Sequence, residues 1–172
     1  MRTWALEPDV EPIPIVVWIF GGKNTTFNLP TGPFSAYDGK GIRDASDNGL
    51  IWVAANYRLG AYGSLAGSSV EERAQPNAGL HDQRLLLDWV QKYIGQVRGD
   101  KTAVSLWGLS AGGGSILHHL TAYGGTSNES PLFDRAALWS TSFQWSYDRA
   151  GVLQETFENF TERHTVGIQM MP

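Results

Sequence analysis

One short stretch of the chain carries residue types suited to acyl transfer: Gly108-Leu109-Ser110-Ala111-Gly112. A G-x-S-x-G sequence between a strand and a helix sets its serine on a sharp turn. Small neighbours let the turn close, and the hydroxyl then projects toward a substrate carbonyl. The helix start behind it offers unpaired N–H groups and a partial positive charge. The same residues also fit a glycine-rich turn in which Ser110 merely caps the helix. A hydroxyl nucleophile further needs a base, and the chain has four histidines. His118 and His119 follow Ser110 on its own helix, which carries His118 roughly 12 Å up the axis and out of reach. They read as surface or packing residues. His81 reads as a helix-start residue, and His164 is the one histidine that spacing leaves open as a base.

These residues need a framework. Ile15–Phe20 is an unbroken apolar run rich in β-branched residues, as expected of a parallel strand buried on both faces. Leu50–Ala55 repeats that pattern, and 102–107 and 135–140 give a third and a fourth strand. Residues 79–97 predict a helix whose apolar stripe runs through Leu86, Val90 and Ile94, with Trp89 and Tyr93 beside it. Residues 111–123 predict a second helix faced by Ile116, Leu117 and Leu120, and 151–164 a third faced by Leu153, Phe157 and Phe160. Residues 23–48 and 59–78 read as surface loops, and 1–14 as a lead-in. Alternation of strand and helix implies an α/β parallel sheet. Trp18, Trp52, Trp89 and Trp107 fall in these elements and read as core. Arg58 is expected to be at least partly buried and paired with an acid such as Asp82, which alternatively serves the dipole of its helix.

Composition narrows the classes. The 172 residues include 13 Lys+Arg and 17 Asp+Glu, for a net charge of −4, with 42% hydrophobic residues and seven Trp. That is a globular and not a disordered composition, of a length that fits one domain. Mild acidity without basic clusters argues against nucleic acid as partner. The absence of cysteine excludes a disulfide scaffold and zinc–thiolate or iron–sulfur sites but leaves the compartment undetermined. No apolar run approaches the length of a membrane span, and the first nine residues show no secretory signal. Asn24, Asn128 and Asn159 each begin a glycosylation sequon.

Five ordered segments resemble the type B carboxylesterases, the cholinesterase-like branch of the α/β-hydrolases. They are Val17-Trp18-Ile19-Phe20-Gly21-Gly22, Asn56-Tyr57-Arg58-Leu59-Gly60-Ala61-Tyr62-Gly63, Asn77-Ala78-Gly79-Leu80-His81-Asp82-Gln83-Arg84, Gly99-Asp100 leading through Val104 to the serine motif, and Ser130-Pro131-Leu132-Phe133-Asp134-Arg135-Ala136. The wording of residues 118–124 is closest to fungal members. The resemblance implies a partial α/β-hydrolase fold, a mostly parallel sheet with helices on both faces, over a single, truncated domain 1–172. It also implies a carboxylic-ester hydrolase. Ser110 would be the nucleophile, and the backbone N–H groups of Gly22, Lys23 and Ala111 would bind the oxyanion. No metal or organic cofactor is implied, and the partner is a small-molecule ester.

Two substitutions depart from the family pattern. Lys23 stands at its third glycine; a backbone N–H donates whatever the side chain, but a positive φ there would cost Lys more than Gly. Leu109 replaces the usual Glu before the serine. The family's acid and histidine lie far downstream of the serine, beyond the 62 residues that follow Ser110 here. The chain alone is therefore expected to be a poor catalyst, with a catalytically dead, cholinesterase-like fragment or binding protein lacking the acid and histidine as the alternative. Loss of flanking strands would also leave sheet edges open to self-association.

Overall fold

Ile15, Val17 and Ile19, each at most 2% exposed, anchor the centre of a four-stranded parallel sheet. The structure is a computed structural model that describes residues 11–22, 38–125, 131–143 and 147–165. Its strands are β1 (Ile13–Ile19), β2 (Ile51–Ala54), β3 (Gly99–Leu109) and β4 (Arg135–Trp139), in the spatial order β2-β1-β3-β4. The register pairs Trp18 with Ala54 on one side and with Trp107 on the other, and Leu109 with Trp139. β1 and β3 are flanked on both sides, and β1 is buried from Ile15 onward, as its continuous apolar run requires. β2 is not the fully buried strand its composition suggests. It lies last in the sheet among the described residues, and all four of its residues are half-buried.

Six α-helices accompany the strands among the described residues: α1 (Lys40–Ala45), α2 (Ala61–Ser64), α3 (Ser68–Arg73), α4 (Ala78–Tyr93), α5 (Ala111–Thr121) and α6 (Val152–Thr165). α1, α2 and α3 occupy stretches expected to be loop. Each is one or two turns long and is preceded by a glycine at positive φ (Gly39, Gly60 and Gly67). Single turns of this kind leave no apolar periodicity to read.

α4 keeps Val90 and Ile94 of the expected stripe on the sheet side but buries Leu87 in place of Leu86. Gln83, Leu87, Val90 and Ile94 are buried, whereas Leu86 is half-buried and Trp89 is 48% exposed. On α5, Ile116 is fully buried while Leu120 is 46% exposed. Leu87, Val90, Ile94 and Ile116 join Ile15, Val17, Ile19, Val104 and Leu106 in one core.

The even-numbered residues of β1 and β2 and the odd-numbered ones of β3 and β4 face the other way. There Trp18, Trp52, Trp107 and Trp139 form a chain of aromatic contacts with ring centroids 5.3 to 6.4 Å apart. They line a cavity of about 590 Å³ together with Ile42, Leu109 and Ser140. Of the tryptophans read as core, Trp18 is buried, Trp52 and Trp107 are half-buried, and Trp89 is a surface residue against Tyr93. No helix among the described residues is long and apolar enough to cross a membrane.

Candidate active site

Ser110 falls between the last residue of β3 and the first of α5, with φ 57° and ψ −120°. A left-handed φ on a side-chain-bearing residue costs about 1–3 kcal/mol and persists only where its surroundings hold it. Here the backbone is held at three points. The Ser110 N–H donates to Trp139 O at 2.9 Å, and its carbonyl accepts from Gly114 N–H and from Ser142 N–H, each at 3.0 Å. The hydroxyl makes no capping bond to α5. Ser110 thus occupies the N-cap position of α5 without a side-chain cap bond.

Two glycines explain how the turn fits. A Cβ on Gly112 would lie 2.1 Å from Ile19 O, so α5 reaches the end of β1 only with glycine at that position. A Cβ on Gly21 would lie 2.4 Å from Leu109 O and 3.0 Å from Ser110 Cβ. The chain leaving β1 thus runs directly against the serine turn. Gly22, one residue further on, lies within about 9 Å of the Ser110 side chain given the fixed Cα spacing. Gly22 has φ 123°, a region that favours glycine. Ala111 opens α5 immediately after the serine. Lys23 lies outside the described residues.

One motif residue, Tyr57, braces the strand end that meets the serine turn. The buried Tyr57 hydroxyl donates to Phe20 O at 2.6 Å, and its ring stacks on Phe20 at 4.5 Å. This fixes the last residue before Gly21-Gly22. Burial pushes the Tyr57 phenol up to about 12, so it stays a neutral donor. Arg58 meets Asp82 in a two-pronged pair, Nε to Oδ2 at 2.8 Å and Nη2 to Oδ1 at 2.7 Å, while the Arg58 N–H donates to Asp82 Oδ2 at 2.9 Å. The Arg58 side-chain hydrogen bond holds the Asp82 carboxyl below its usual range. The expected pairing is present, but the Arg58 side chain is 56% exposed and not buried.

The described histidines are engaged elsewhere. His81 Nε2 lies 2.9 Å from Gln75 Nε2. The His118 ring packs on Phe143 at 4.7 Å, and His119 Nε2 lies 2.9 Å from Gln83 Oε1. Burial, followed by the charges of Arg84, His118 and His81, pushes the His119 imidazole down to about 4. His164 belongs to α6 by its backbone, and its side chain lies outside the described residues.

Sequence reasoning gave no role to Tyr57, Gln83 or Ser115. Gln83 had a visible signal: it falls on the helical spacing of Leu87, Val90 and Ile94, a polar side chain on an apolar stripe.

Comparison with known proteins places the chain in a family. A family model of the carboxylesterase family matches residues 4–167. The chain is 40% identical over 155 residues to a secreted lipase of Arthroderma benhamiae, covering 88% of this chain and 30% of that protein. It is 40% identical over 144 residues to lipase 1 of Geotrichum candidum, covering 81% of this chain and 24% of that protein. The crystal structure of Aspergillus niger EstA superposes with a TM-score of 0.64 at 40% identity, covering 73% of this chain and 23% of that one. The chain thus spans less than a third of the length of these relatives. Taken with the matched span, these likenesses show that the chain belongs to the carboxylesterase family.

Proposed function

We propose that Ser110 is the nucleophile of a carboxylic-ester hydrolase. The observation that carries this reading is the strained serine at the β3–α5 turn, packed against Gly21 with its hydroxyl unclaimed by the helix. Ser110 Oγ attacks the ester carbonyl, forming an O–C bond. The carbonyl oxygen becomes an oxyanion received by the backbone N–H groups of Ala111, Gly22 and Lys23. The hydroxyl proton passes to a general base and on to the departing alcohol as the ester C–O bond breaks. Water then attacks the acyl-enzyme by the same route and releases the acid. The names of the relatives, both lipases, and of the carboxylesterase family support a carboxylic ester as the substrate class.

The engagement of His81, His118 and His119 favours a second reading of the 172-residue chain, in which the serine turn is intact but silent. The two readings meet in one expectation. The chain alone hydrolyses p-nitrophenyl acetate slowly, because a serine without an aligned base loses several orders of magnitude in rate. Rapid turnover abolished by Ser110→Ala would instead show that the base is within the chain, and His164→Ala would then test the open candidate. Turnover unchanged by Ser110→Ala would contradict the nucleophile assignment.

A further inference from the structure

Gln83 is 2% exposed on the sheet-facing stripe of α4, where ester hydrolysis itself requires no polar side chain. Both ends of its amide are used. Its Oε1 lies 2.9 Å from His119 Nε2, and its Nε2 donates to Ser115 Oγ at 3.2 Å. Ser115 Oγ in turn donates to Ala111 O at 3.0 Å. The direction of every proton follows. An amide oxygen only accepts, so His119 carries its hydrogen on Nε2. An amide nitrogen only donates, so Ser115 accepts there and commits its single proton to Ala111. The chain of bonds starts in the last turn of α5, crosses to α4 and returns to the residue after Ser110.

The start of α5 needs such help. It reads Ala111-Gly112-Gly113-Gly114-Ser115, and each glycine costs a helix about 1 kcal/mol relative to alanine. This weak first turn must still hold Ser110 at its positive φ, through the Gly114 N–H to Ser110 O bond. Ser115 is the first residue after the three glycines with a side chain able to bind back to the turn. Gln83 prevents its hydroxyl from rotating away.

We propose that Gln83 is a positioning residue for the Ser110 turn, acting through Ser115 on the Ala111 peptide and kept in orientation by His119. The functional meaning rests on Ser110 as nucleophile; the geometric claim does not. The test is native-state amide exchange of the 172-residue chain, read by mass spectrometry with peptide fragmentation at concentrations low enough to limit association, comparing Gly114 in the turn with Leu106 in β3. Gln83→Leu and Ser115→Ala should each speed exchange at Gly114 at least about tenfold and leave Leu106 within about twofold. His119→Gln, which retains a neutral N–H donor, should stay close to the parent chain, while His119→Leu should behave like Gln83→Leu. Ser115→Ala removes one oxygen and decides the matter if Gln83→Leu does not fold. Unchanged exchange at Gly114, or equal acceleration at Gly114 and Leu106, would overturn the proposal, since a purely global contribution moves both. Labelling of Ser110 by an alkyl fluorophosphonate should slow in the same variants in which Gly114 exchange speeds up. An unlabelled Ser110 alongside the expected exchange pattern would count against the nucleophile and uphold the positioning role.

Discussion

His119 links site geometry to acid stability. Its imidazole lies near pH 4 in the folded chain, against about 6.5 when unfolded, chiefly through burial. The charged and titratable groups around it are Arg84 and His81 on α4 and His118 on α5. Above pH 6.5 both states hold it neutral and it has no effect on stability. As pH falls from about 6.5 to 4, the unfolded chain takes up a proton that the folded chain refuses, so stability drops. The full shift corresponds to at most about 3 kcal/mol. Asp82, lowered by Arg58, works in a separate window, since its contribution is lost only below the ordinary carboxylate range as pH falls through the folded value. Urea midpoints measured from pH 7 to 4 should therefore fall in the parent chain and flatten in His119→Gln. Equal slopes in the two chains would show that His119 titrates normally.

At the scale of elements, sequence pattern and structure agree where an element's neighbours do not matter. The β1 run specifies a strand buried on both faces, and the spacing of the serine motif places its turn between β3 and α5, because each rests on local chemistry. The half-burial of β2 was not legible, since its composition matches β1 and only the strand order puts it last in the described sheet. Trp89 was misplaced because successive helical residues point about 100° apart. Centring the stripe on Leu86 in place of Leu87 swings Trp89 toward the core, whereas its ring lies on the surface. The proximity of Gly21 to Ser110 follows from the pairing of Ile19 with Gly108 across β1 and β3, a long-range register that the motifs alone do not supply. The Gln83–Ser115–Ala111 link likewise joins two helices whose packing no spacing rule encodes.

For the whole molecule, the described sheet ends at β2 and β4, and Trp139 on β4 is 44% exposed beside the tryptophan-lined cavity. Terminal strands present unpaired backbone groups that template further pairing. We propose that the 172-residue chain expressed by itself associates with further copies through these edges. Sedimentation velocity should show oligomers or aggregates. A soluble monomer with a single cooperative calorimetric transition would contradict that expectation.

The central claim is that the β3–α5 turn makes Ser110 a nucleophile, and covalent trapping tests it most directly. The folded chain is incubated at length with an alkyl fluorophosphonate at mildly alkaline pH, where solvent hydroxide stands in for the missing aligned base, then digested and mapped by mass spectrometry, beside Ser110→Ala and the urea-unfolded parent. Phosphorus–oxygen bond formation with loss of fluoride should mark the peptide carrying Ser110 in the folded chain, and neither control should be marked there. A folded chain that stays unmodified at Ser110, or is modified at the same rate when unfolded, would contradict the account.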